Sequence, residues 1–149
     1  MGLLNDIDAK LKSAMLARDQ FLTGVLRDLK SALQYEEVAK QKRETGLTDE
    51  EMQIVIAREV KKRDDSIEIY TAAGEQERAD KETAERQILK SFLPEQLSDD
   101  ELTEIINRVI SEGEFTMADM GRVIGGVKTE VGVKADGAKI ASLVKEILK

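Results

Sequence analysis

The chain has 149 residues, enough for one or two domains, with 41% apolar and 36% charged residues and a formal net charge of −7. It has no cysteine and no histidine. Disulfides, thiolate metal sites, cysteine nucleophiles, Ser-His-Asp triads and His-based zinc sites are therefore excluded, and the net acidity argues against a wholly basic nucleic-acid module.

From Met1 to Leu11 there is neither a basic leader nor a long apolar run, so no signal peptide is expected. No stretch approaches the roughly 20 apolar residues of a membrane span. These features predict a cytoplasmic protein without membrane contact. The apolar residues recur at helical spacing almost everywhere. Leu4, Ile7, Leu11 and Met15 form a first stripe. After a cap at Asp19, Leu22, Leu26, Leu29 and Leu33 form a second, widened by Phe21 and Val25. Gly46 is expected to end that helix. Thr48 and Glu51 then read as a capping box that opens a third helix, with Met52, Ile56, Val60, Ile67 and Tyr70 inward. This helix should run about 25 residues, on the order of 37 Å, to Gly74. It is expected to pair with the second helix as a long antiparallel hairpin. A fourth helix, from about Glu77 to Phe92, closes with Ile88, Leu89 and Phe92, and Pro94 forbids its continuation.

Ser98 to Glu101 is a second capping box, opening a helix with Leu102, Ile105, Ile106, Val109 and Ile110 inward and Gly113 as its stop. Thr116 to Lys128 reads as a short helix with Met117, Met120, Ile124 and Val127 on one side. Its Gly121 and Gly125-Gly126 predict a close helix contact or a fraying helix. Asp136 caps a last helix that buries Ile140, Leu143, Val144 and Ile147. No strand-like run, fixed repeat or low-complexity tract is present. The expected architecture is all-α, with a four-helix unit over residues 1–93 and a smaller three-helix unit over 94–149.

Charge offers few candidate sites. In Arg58-Glu59-Val60-Lys61-Lys62-Arg63, helical geometry sends Lys61 opposite the apolar stripe, with Arg58 and Lys62 on its outer flanks. Those three read first as a solvated face, and second as partner contacts. Glu59 and Arg63, four apart, are expected to pair at the hairpin edge, with Glu36 as a further partner. Acidic pairs such as Asp49-Glu50 and Asp99-Asp100 sit at helix starts, where they complement the dipole. No pair of carboxylates is set apart for acid–base work. Val123 to Lys128 is glycine-rich but follows no strand, so a nucleotide cradle is not expected. Close backbone approach to a partner surface is the alternative there.

After Pro94, Arg122, Lys128, Lys134 and Lys139 surround the last two helices and are the leading candidates for contact with an RNA backbone. The same segment holds seven basic against eleven acidic residues, so the patch is local. No metal site and no small-molecule cofactor are expected.

The ordered segments Arg27-x-Leu29-Lys30-Ser31-Ala32, Arg58-Glu59-x-Lys61-Lys62-Arg63-x-x-Ser66-x-x-x-Tyr70, Ile88-Leu89-x-x-Phe92-Leu93-Pro94 and Met120-Gly121-Arg122-Val123-Ile124 resemble the GatB/YqeY family, in its free-standing YqeY-like form, over nearly the whole chain. The resemblance implies an all-α fold with a small C-terminal helical domain. It links that domain to the tail of the glutamine-dependent tRNA amidotransferase B subunit, which helps hold tRNA while chemistry lies elsewhere. It therefore implies a non-catalytic association with carbon–nitrogen ligase systems. Two functions follow: a tRNA-binding accessory module, or a protein-interaction adaptor with no RNA binding. The adaptor predicts an exposed apolar patch with Val123 or Val127 outward. An enzyme in its own right ranks third.

Overall fold

The computed structural model describes residues 2–149, which form helices and turns with no strand. Two compact units divide at residues 93 and 94. In the first unit lie α1 (Leu3–Leu16), α2 (Gln20–Ala39), α3 (Asp49–Ala72) and α4 (Gln76–Lys90). In the second lie α5 (Asp99–Ser111), α6 (Met120–Val131) and α7 (Gly137–Leu148), with 3-10 turns at Met117–Asp119 and Gly132–Lys134.

Local chemistry sets most helix starts. Asp19 accepts from the Leu22 amide, and Asp136 accepts from Ala138. Thr48 Oγ1 accepts from the Glu51 amide at 3.1 Å while the Glu51 carboxylate accepts from the Thr48 amide at 3.0 Å. Ser98 and Glu101 repeat the arrangement at 3.1 and 3.2 Å. At the end of α3, Gly74 takes a φ of +76° and the Glu75 amide reaches back to the Tyr70 carbonyl at 2.9 Å. Only glycine holds that left-handed position without a steric cost.

The core of the first unit gathers Ile7, Leu29, Leu33, Met52, Ile56 and Leu89 from all four helices. Its helix pairing differs from expectation. The long hairpin is α3 with α4, not α2 with α3, and α2 packs chiefly on α1. The connection explains the choice. Ala73–Glu75 is too short to let α4 go anywhere but back along α3, whereas the loop over residues 40–48 leaves α2 and α3 freer. Ile67 and Tyr70, expected inward along α3, are only half-buried.

Three further expectations are corrected. The second helix stops at Ala39, not at Gly46. Gln41 takes the left-handed position at φ +56°, and the Lys42 amide bonds the Glu37 carbonyl at 2.8 Å. Gly46, at φ +75°, serves the following loop instead. In α1 the buried residues are Ile7 and Ala14, so Leu4 and Met15 stand 40% and 50% exposed on the helix edge. The segment from Thr116 begins as a 3-10 turn, and α6 runs on to Val131.

The second unit packs α5, α6 and α7 around Leu102, Ile106, Val123, Val127, Ile140 and Val144. Val123, Val127 and Val131 make the buried face of α6. Val123 and Val127 are fully buried, so neither points outward as the adaptor expectation required. The chain enters this unit already fastened. The Leu97 amide donates to the Lys134 carbonyl at 2.9 Å, and Gln96 Nε2 donates to the Val133 carbonyl at 3.0 Å.

Candidate functional site

Valine spacing fixes what α6 shows to solvent. With Val123, Val127 and Val131 inward, the opposite face carries Arg122, Gly121, Gly125 and Thr129. A β-carbon at Gly121 or Gly125 would meet nothing within 4 Å, so neither glycine mediates a contact inside the fold. Gly126 alone faces α5, where a β-carbon would lie 3.6 Å from Val109 Cγ1. Neither fraying nor a tight helix crossing accounts for the other two.

Arg122, Lys128, Lys134 and Lys139 are all exposed, but they do not form one cluster. Arg122 and Lys128 are separated by roughly 120° around α6 and about 9 Å along it. The Arg122 guanidinium lies over the Phe115 ring, 5.7 Å from its centroid, ahead of α6. Lys128 lies at the other end, its stem so near α7 that a β-carbon on Gly137 would come within 3.2 Å of its Cε. Lys139 pairs with Asp99 at 2.6 Å. Arg108 is also spoken for, by Glu130 and Glu112. Arg122, Lys128 and Lys134 have no carboxylate partner among the described residues.

In the first unit, Arg58 pairs with Glu36 at 3.3 Å and Lys62 with Glu59 at 2.8 Å. Lys61 is exposed and without an ion pair among the described residues. Arg63 is the centre of a larger cluster. Its Nη1 lies 3.8 Å from Glu59, and its Nε lies 3.9 Å from Glu82 and 3.5 Å from Glu85. Glu36 belongs to Arg58 rather than to this cluster, because α4 and not α2 faces α3 here. Burial, and then the repulsion of Glu82, push the Glu85 carboxyl above its ordinary value. Near the start of α3, the Lys42 ammonium and then the Thr48 amide pull Glu51 down to about 2. Among the described residues no set of three carboxylates is arranged to hold a metal ion. At Arg63, a guanidinium already occupies the space a cation would need.

Sequence reasoning missed one surface. Leu11, Met15 and Leu16 line an open hollow of about 470 Å³ with Asp8, Lys12 and Lys30. The signal was present: α1 carries two apolar edges, Leu3-Ile7-Ala14 and Leu4-Leu11-Met15, and one core can bury only the first.

These features define an all-helical protein of two units, with exposed unpaired cations on both and an uncovered apolar groove on the larger. The family model for YqeY-like proteins matches residues 4–148, and the chain belongs to that family. No curated protein matches the chain significantly. No helix among the described residues is long and apolar enough to cross a membrane.

Proposed function

We propose that this YqeY-like protein is a non-catalytic accessory module of glutamine-dependent carbon–nitrogen ligase (tRNA amidotransferase) systems, working in the cytoplasm and holding tRNA with its smaller unit. The observation that carries the reading is the set of unpaired cations. Arg122, Lys128 and Lys134 are exposed and have no carboxylate partner among the described residues, whereas Arg108 and Lys139 of the same unit are paired. Phosphate contacts are made by such free cations, and spaced cations suit a polymer backbone better than a compact anion. The bare glycine face of α6 lets a backbone come close. Without histidine or cysteine, the chain lacks the commonest general base and a thiol nucleophile.

The test is titration with uncharged and glutamyl-tRNA at two salt concentrations. Binding that weakens with salt, and weakens further in Lys128→Ala and Lys134→Ala, supports the reading. No binding at low salt, where attraction is greatest, removes it. A second reading, a protein-interaction adaptor, is favoured by the uncovered groove between α1 and α2.

A further inference from the structure

We propose that the groove between α1 and α2 is the docking surface for an acidic amphipathic helix of a partner protein. The inference gives the adaptor reading a place and a partner chemistry, and it is independent of RNA binding by the smaller unit.

The groove is made of two adjoining hollows. The hollow lined by Leu11, Met15 and Leu16 shares Asp8 and Lys30 with a smaller one, about 140 Å³, lined by Leu4, Leu33, Gln34 and Glu37. Asp8 and Lys30, which line both hollows, pair at 2.7 Å. From Leu4 to Leu16 the apolar edge of α1 rises about 18 Å, the length of three helical turns. Leu16 is 77% exposed and Met15 50%. Large aliphatic side chains grouped along one helix edge attract an apolar stripe of matching pitch.

Charge selects the occupant. At the Leu16 end stand Lys12, Arg18 and Arg27, none with a carboxylate partner among the described residues. Arg27 Nη2 reaches only the Met15 sulfur, at 3.9 Å. In a protein of net charge −7, Lys12, Arg18, Arg27 and Lys30 against Asp8, Asp19 and Asp28 give the Leu16 end of the groove a net +1, a local field of opposite sign to the whole. An acidic helix can seat its apolar residues on Leu11, Met15 and Leu16 and bring its carboxylates to the three cations. An extended peptide finds no sheet edge to extend. A lipid surface is flat and broad, whereas the apolar residues here line a hollow between two helices. RNA gains little from exposed leucine and methionine.

The test uses the full-length chain and three labelled peptides of roughly 18 residues, long enough to match the groove. One is an amphipathic helix of leucine and glutamate. The second has the same composition with its leucines scattered, and the third replaces glutamate with lysine. Saturable binding of the first alone, with amide shifts confined to α1 and α2, is expected. Leu16→Glu should weaken it by about tenfold or more, since it removes one buried leucine. Arg27→Glu should weaken the acidic peptide and admit the lysine one. Tyr35→Glu, on a residue 79% exposed and outside the groove, should leave affinity unchanged and shows that a surface charge does not itself disturb the fold. Equal binding of the scattered peptide, shifts elsewhere, or no binding overturns the proposal. So does Leu16-dependent binding to phosphatidylserine vesicles without peptide binding, or a dimer that Leu16→Glu dissolves. Loss of tRNA binding in Lys128→Ala leaves each of these results untouched.

Discussion

Arg63 and Glu85 face each other across the α3–α4 hairpin, with Nε 3.5 Å from Oε2, and the arginine Nε is buried without a hydrogen bond. The contact is one of charge alone, in a pocket where Glu59 and Glu82 crowd the same guanidinium. Among the described residues Arg63 is thus the one cation that reaches both Glu82 and Glu85 on α4, while Glu59 also has Lys62 at 2.8 Å.

Replacing Arg63 with alanine leaves Glu82 and Glu85 to repel one another without their ion-pair partner. Stability should fall by on the order of 1–3 kcal/mol. Lys61→Ala, on the solvent face of the same helix, should change it by less than about 0.5 kcal/mol. Urea unfolding of both variants checks the contrast, and equal small effects would remove the cluster from the list of stabilising features.

The same cluster gives a pH dependence with a definite sign. Because the folded-state pKa of Glu85 is raised above 4.5, the folded chain binds that proton more tightly than the unfolded chain. Its stabilising share is complete below 4.5 and is lost as pH rises through the raised value. Glu85→Gln should therefore be more stable than the parent at pH 7, and match it well below pH 4.5. Glu51 runs the other way. Held at about 2, it stabilises the fold above 4.5 and loses that share as pH falls toward 2. Glu51→Gln should blunt the acid end of the stability profile.

Thr48→Ala and Ser98→Ala each remove the hydroxyl of a complete capping box. Each should cost about 1 kcal/mol, the first through the larger unit and the second through the smaller. Amide exchange near residues 49–52 and 99–102 would show which helix start has loosened.

Two glycines with open space around them should respond in opposite directions. Gly74→Ala forces a β-carbon into a left-handed position and should destabilise by about 1 kcal/mol. Gly125→Ala lies within a regular helix and should stabilise by about 0.5–1 kcal/mol. If α6 approaches an RNA backbone through its glycine face, Gly125→Ala will weaken tRNA binding while raising the melting temperature.

Helical class and most helix starts were legible because they rest on signals a few residues long, such as the Thr48 and Ser98 boxes. What escaped depends on contacts between distant segments. Nothing near α3 says that α4 rather than α2 lies along it. Gln41 carries no local mark of its left-handed turn, since glycine or asparagine is the usual sign. On α6, Met120, Ile124 and Val127 were legible as the apolar side, and packing against α5 and α7 adds Val123 and Val131 to the same face and buries the valines most deeply. The candidate cations could be named from sequence. That Lys139 is neutralised by Asp99 while Lys134 is not could not, because those pairings cross from helix to helix.

The bonds from Gln96 and Leu97 to the turn before α7 also decide where the chain can be cut. A fragment beginning at Asp99 would keep every helix of the smaller unit yet leave the Val133 and Lys134 carbonyls without these donors. A fragment beginning at Pro94 would carry its own fastening. The smaller unit, counted by its hydrogen bonds, is therefore longer than its helices and begins with the residues ahead of α5.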